Sequence, residues 1–190
     1  VPLDRTFYFR DPREVAPDLL GCVLVTRRGR TVTAGRIVET EAYLGPEDAA
    51  SHAAFRPGSR ALFYGPGGFA YVYLNYGMHA CLNAITNPPG KPGCVLIRAL
   101  EPLTGLRAMA RRRGVPPTSP RLTTGPGNLT RALAITVRDN GTDLTRGALT
   151  IEPPDRPRDF EIGRGPRVGI TRAVDLPLRY WIVGNRFVSR

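Results

Sequence analysis

Lysine is almost missing from this chain: Lys91 is the only one, in the turn-like run Pro88-Pro89-Gly90-Lys91-Pro92-Gly93. An enzyme that forms a Schiff base through a lysine side chain would have no other to use, so a lysine-dependent lyase step is not expected. Histidine is scarce too, with His52 and His79 alone. The three cysteines, Cys22, Cys81 and Cys94, are odd in number, widely spaced and set in apolar, strand-like surroundings without a Cys-x-x-Cys pair. They read as buried free thiols of a reducing compartment, and a structural zinc site has little to be built from. No apolar run approaches the roughly 18 to 20 residues that span a bilayer, and no signal-peptide pattern opens the chain, so a soluble, intracellular protein without membrane contact is expected. Internal repeats and low-complexity tracts are also absent.

What is abundant is arginine. The net charge is +11 and the sequence pI about 10.5, carried by arginine almost alone. Such a field favours a polyanionic partner, and guanidinium groups suit bidentate phosphate contacts and stacking on bases, although a GC-rich genome would enrich arginine as well. With 42% hydrophobic and 23% charged residues, a chain of 190 residues is long enough for one well-buried core, read here as one domain over 1–190.

In chain order, Asp11-Pro12 signals a helix start and Gly21 its end. Cys22 to Thr26 and Thr31 to Leu44 read as a hairpin about Arg28-Gly29. Its second strand begins the most informative stretch, RIVETEAYLGPEDAASH (36–52). Alternation puts Glu39, Glu41 and Tyr43 on one face, with His52 beyond a Gly-Pro turn, and these could line one pocket. From this stretch alone, an edge strand carrying solvated glutamates is favoured over that pocket, because exposed carboxylates are the common case. Residues 52–68, rich in glycine and arginine, read as a loop, either one suited to phosphate contact or a mobile connector. FAYVYLNYGMHACLNA (69–84) reads as a hairpin with Tyr71, Tyr73 and Asn75 on one face and Tyr76 at the tip. A tyrosine there is well placed to wedge between bases, although ordinary cross-strand packing would use the same residues. Cys94 to Leu100 reads as a buried strand whose Arg98 needs a carboxylate, from Glu41 or Glu101, or else a ligand. A helix is expected over 104–113 and another from Gly125-Pro126-Gly127-Asn128 to Ala134, the latter's glycine amides suited to an anion. Short strands are expected at 149–151, 167–170 and 179–183.

With these stretches assembled, the sequence resembles the alkyladenine (3-methyladenine, N-methylpurine) DNA glycosylase family. The matching blocks are RIVETEAYLGPEDAASH, YVYLNYGMHACLN, CVLIRALEPLTG, GPGNLTRALAI, RVGI and PLRYWIVG, in family order over most of the chain. The resemblance implies an α+β fold, with an antiparallel curved sheet, surrounding helices and a protruding β-hairpin. It implies an enzyme that flips an alkylated or deaminated purine out of duplex DNA and hydrolyses its N-glycosidic bond, initiating base excision repair without a lyase step, a cofactor or a metal. By resemblance, Glu41 activates the water, and Arg98 and the backbone carbonyl of Val168 position it. Tyr43, His52 and Tyr73 wall the base pocket, and Asn83 crowds the amino group of normal guanine. Tyr76 fills the gap left by the flipped base, Met78 lies beside it on the intercalating hairpin, and Leu96 lies near the pocket. Two positions depart from the pattern: Asn75 is polar where an apolar residue is common, and Asn128 replaces a frequent lysine, which weakens a phosphate grip at that helix start. A long N-terminal extension of some relatives is missing, suggesting a compact bacterial form that acts as a monomer in the cytoplasm at the nucleoid, or in a nucleus if the source is eukaryotic. Two rival functions remain: a non-catalytic basic nucleic-acid-binding module, and a carbohydrate hydrolase using Glu39 and Glu41 as its pair. Residues two apart on a strand point the same way rather than flanking a bond, which counts against the second.

Overall fold

A computed structural model describes residues 1–189 of the chain. The first turn of helix, α1 (Arg5–Tyr8), is capped by Asp4; α2 (Pro12–Asp18) follows, with the Asp11 carboxylate accepting the Arg13 N–H and proline in the first turn, as the sequence indicated. β1 (Val23–Arg28) and β2 (Thr31–Tyr43) form the expected hairpin. Residues 52–68 are not a featureless loop: Ser51 caps a single turn α3 (His52–Phe55), and a 3-10 turn at Pro57–Ser59 leads into α4 (Arg60–Phe63). The glycines and arginines of this stretch hide short helices that tertiary contacts hold, since one turn has no stability of its own.

β3 (Ala70–Asn75) and β4 (His79–Ile85) form the tyrosine hairpin. β5 (Cys94–Thr104) runs four residues beyond the expected Leu100, and Gly105, in the left-handed region at φ +78°, turns the chain into α5 (Leu106–Arg113). α6 (Pro126–Leu133) begins after Gly125, as anticipated. β6 (Leu149–Glu152) and β8 (Arg179–Ile182) match expected strands. The strand expected at 167–170 does not form. Gly169 has φ +74° and Arg167 is drawn into a buried ion pair, so the segment is irregular. The strand before it, β7 (Ile162–Gly165), went unread because IGRG is poor strand sequence; its Gly163 is required by the Trp181 ring, which occupies the space a Cβ would take.

The eight strands among the described residues pair antiparallel in one sheet, ordered β3-β4-β5-β2-β1-β6, with β8 between β2 and β7, and helices surround it. β2 is therefore interior along its length. One edge pairs with β5; the other pairs with β1 over 31–36 and with β8 over 39–41. Helices α2 and α6 pack on this sheet: the Thr40 hydroxyl donates to the Ala16 carbonyl, and Leu129, Ala132 and Leu133 join Val38, Ala42, Ile97 and Leu100 in the main core. The β2–β5 register skips Val38 and then Arg98, so two irregularities flank Glu39. Such bulges re-aim side chains, here that of Arg98 toward the β2 carboxylates.

Candidate active site

A rank of directly opposed residues crosses the sheet. Tyr71 of β3 faces Asn83 of β4, which faces Leu96 of β5, which faces Glu41 of β2, which faces Arg179 of β8. Opposed residues share a face, so five strands bring this row together although its members are drawn from positions 41 to 179, a separation of 138 residues.

The solvated edge strand is ruled out. Glu39 and Glu41 have no exposed surface, and both contact the same guanidinium. Arg98 donates from Nε to Glu39 at 3.1 Å and sets Nη1 3.3 Å from Glu41 Oε1; Glu101, the other partner the sequence left open, pairs with Arg36 instead. Glu41 Oε1 also accepts the Val168 backbone N–H at 2.7 Å, and Oε2 accepts the Tyr43 hydroxyl at 2.8 Å. Val168 thus contacts Glu41 itself through its amide; the role that the resemblance gives its carbonyl is toward the water, not toward Glu41. Burial pushes the proton affinity of Glu41 above the usual carboxylate range; Arg98, the Val168 amide and Tyr43 pull it back only in part, and Glu39 adds to the rise. Burial and the Glu41 charge together keep the Tyr43 phenol firmly protonated, as a donor.

In front of this cluster lies a cavity of about 450 Å³, walled by Tyr43, His52, Phe55, Tyr71, Tyr73, Asn75, Asn83 and Cys94 and by residues 169–172. That volume is in the range of small-ligand sites. Glu41 sits behind Tyr43 rather than on the wall. His52 meets Tyr73 edge to face at 4.3 Å between centroids, and Tyr71 stacks on Tyr73 at 5.4 Å. His52 Nδ1 shares a 2.9 Å hydrogen bond with the Tyr71 hydroxyl. Burial, with Arg56 nearby, lowers the His52 pKa to about 4, so the imidazole is neutral at pH 7. The Asn83 amide is oriented at both ends, donating to the Tyr71 carbonyl and accepting from the Cys94 thiol. Leu96 is buried in the row between Asn83 and Glu41 and does not line the cavity.

Tyr76 and Met78 stand apart, at 83% and 74% exposure on the tip of the β3–β4 hairpin. Tyr76 has φ +50° and Gly77 φ +67°, the pair of left-handed residues that a tight hairpin turn needs. For a tyrosine this conformation costs about 1–3 kcal/mol, an expense that nothing in the local packing of an exposed ring recovers. In the rung next to that tip, His79 is approached by Gly127 of α6 so closely that a Cβ on the glycine would come within 2.9 Å of it. Asn128 spends its side-chain amide on the Thr124 carbonyl.

Several residues escaped the sequence reading. Tyr71 was placed on the right face by alternation but given no part in the pocket. Arg167 and Asp48 form a fully buried ion pair at 2.6 Å, with the Arg167 guanidinium 4.6 Å from the centroid of the Tyr43 ring. This pair joins the 45–51 turn to the 166–173 segment on either side of the cavity. Burial alone would raise the Asp48 pKa; Arg167 and the amides of Leu44 and Ala50 overcome that and hold it low. Only the absence of any nearby countercharge for a buried arginine could have hinted at it, since the partners are 119 residues apart.

The family model of methylpurine-DNA glycosylases matches residues 6–186. A protein of Koribacter versatilis with the provisional name 3-methyladenine DNA glycosylase is 49% identical over 192 residues, covering 99% of this chain and 93% of that protein. A protein of Methanoculleus marisnigri with the same provisional name is 48% identical, covering 99% and 98%. Another, of Bradyrhizobium diazoefficiens, is 44% identical, covering 100% and 91%.

Proposed function

Because the chain belongs to the methylpurine-DNA glycosylase family, a family of hydrolases acting on N-glycosyl bonds in DNA, we propose that it takes a damaged purine out of the duplex into the tyrosine-walled cavity and cleaves its N-glycosidic bond with Glu41 as the base. The observation that carries this reading is a buried carboxylate, gripped by Arg98, Tyr43 and the Val168 amide, immediately behind an aromatic cavity.

The chemistry follows from that arrangement. Cleaving the bond between sugar and base develops positive charge on the sugar, which an ionised carboxylate in a dry site stabilises while it takes a proton from the attacking water. A raised proton affinity makes Glu41 a stronger base than a solvated carboxylate would be. Arg98 and the Val168 amide occupy Oε1, so Oε2, which carries only the Tyr43 hydroxyl, is the oxygen that meets the water. A purine methylated on a ring nitrogen carries positive charge, so it is a better leaving group and is attracted to the faces of Tyr43 and Tyr73. A neutral His52 does not oppose it. Asn83, with its amide fixed by Tyr71 and Cys94, stands where a bulky exocyclic group would collide. Extrusion costs a few kcal/mol, least for a base whose pairing is already weakened, and Tyr76 offsets it by occupying the gap in the stack. Lys91 lies in a different cleft from the aromatic cavity, in keeping with hydrolysis without strand cleavage. One chain supplies every group named, so a monomer suffices.

The test is to incubate the protein with duplexes that each carry one alkylated or deaminated purine and to analyse both products. Free damaged base should appear while the sugar–phosphate strand stays intact until alkali is added. Tight binding without base release would instead identify a non-catalytic DNA-binding module.

A further inference from the structure

Glu39 has no part in the chemistry above, yet it is as buried as Glu41 and is more heavily hydrogen-bonded. Its Oε1 accepts from Arg98 Nε at 3.1 Å, from Arg179 Nε at 2.7 Å and from the Ser189 hydroxyl at 2.8 Å; its Oε2 accepts the Ser189 backbone N–H at 2.7 Å. Arg98 Nη2 closes the ring by donating to the Ser189 hydroxyl at 3.3 Å, and Arg179 Nη2 donates to the Ser189 carbonyl at 2.7 Å. Arg98 is therefore held along one side by Glu39 and Ser189, and only Nη1 reaches Glu41. The two register irregularities that flank Glu39 are what bring Arg98 within reach of both carboxylates.

We propose that Glu39 is a positioning residue for base excision: together with Arg179 and Ser189 it forms a frame that divides Arg98 between two carboxylates and so sets how strongly Arg98 acts on Glu41. This rests on the reading of Glu41 as the base. A general base needs to be ionised and yet retain appetite for a proton. An arginine given wholly to Glu41 would keep it ionised but make it a feeble base; an arginine given wholly to Glu39 would leave a buried glutamate protonated. The charged and titratable groups around Glu41 are Arg98 from β5, Tyr43 and Glu39 from β2, Arg167 from the 166–173 segment, Cys81 from β4 and Arg179 from β8. Of these, Arg98 is the strongest influence on Glu41 after burial itself, so its division is the effective control.

The experiment is a carbon-detected NMR titration of the Glu41 carboxyl in the wild type, Glu39→Gln and Arg179→Gln, beside single-turnover excision as a function of pH. In Glu39→Gln, Arg98 turns wholly to Glu41 and a neighbouring negative charge is gone, so the midpoint and the acid limb of the rate should move down by about one pH unit. In Arg179→Gln, Glu39 draws Arg98 more strongly and a nearby positive charge is lost, so both should move up by about as much. If Glu39 serves folding alone, both variants melt earlier and react more slowly, but the Glu41 midpoint stays where it was; that outcome overturns the proposal. Should Glu39→Gln fail to fold, Arg179→Gln decides by sign, an upward shift supporting the frame and an unmoved or lowered midpoint overturning it. Near-normal excision by Glu41→Gln would remove the base from the mechanism, while the NMR titration would still report whether the frame controls the Glu41 proton.

Discussion

A glutamate on a strand paired along both edges, with an arginine on one side and a tyrosine hydroxyl on the other, is in an environment opposite to that of an exposed carboxylate two residues from a like charge. Alternation in 36–52 placed Glu39, Glu41 and Tyr43 on one face, because a period of two survives as long as the strand stays regular between them. Whether that face was wet or dry was not legible, since it depends on β5 and β8 pairing on either side, and those strands are 55 and 138 residues further along than Glu41. The sequence therefore could offer Glu41 and Glu101 as partners for Arg98 without deciding between them, and the resemblance alone named Glu41 as the base. His52 gives a pH test at this scale. Its pKa is about 4 in the folded protein against an ordinary value of 6.5. As pH falls through 6.5 the unfolded chain takes up a proton that the folded one refuses until about pH 4, so stability is lost on acidification across that window. Thermal melting between pH 7 and 4 should show a decline on the order of 1–2 kcal/mol that is missing from His52→Gln.

At the scale of elements, the two hairpins were readable because alternation and a turn residue specify the same answer in each. The 167–170 segment misled for the same reason. Its Arg-Val-Gly-Ile pattern resembles a strand, but a left-handed Gly169 and a buried Arg167 shape it into an irregular wall of the cavity. That wall is held by Asp48. Asp48→Ala leaves Arg167 buried and unpaired, which should cost about 3–5 kcal/mol in urea unfolding and slow excision through disorder around Tyr43. The hairpin makes the opposite prediction. Tyr76 contacts solvent, so Tyr76→Ala should change unfolding free energy by no more than about 0.5 kcal/mol. Its loss should weaken binding to a lesion-containing duplex by about 1–3 kcal/mol, read by fluorescence anisotropy, with a smaller effect on single strands. Equal losses on both would count against a wedge.

For the whole molecule, composition was the most transparent signal. A net charge of +11 with scarcely any lysine indicated a phosphate-rich partner and made a Schiff-base step implausible. What composition cannot convey is assembly: Glu39, Arg98, Arg179 and Ser189 converge from four separate parts of the chain through sheet pairing. DNA affinity should fall steeply with salt, with log K against log salt sloping more steeply than about −4, as expected for five or more phosphate contacts. Tyr76→Ala should lower the intercept and leave that slope alone, because a stacking contact releases no counterions.

The most direct measurement is single-turnover release of a methylated purine from duplex DNA by Glu41→Gln, a substitution that keeps the shape of the side chain and removes its capacity to accept a proton. Retained DNA affinity with excision reduced at least about a hundredfold is the expected result. Excision at near the wild-type rate would contradict it, because the other buried carboxylates beside the cavity are spent on ion pairs, Glu39 on Arg98 and Arg179 and Asp48 on Arg167.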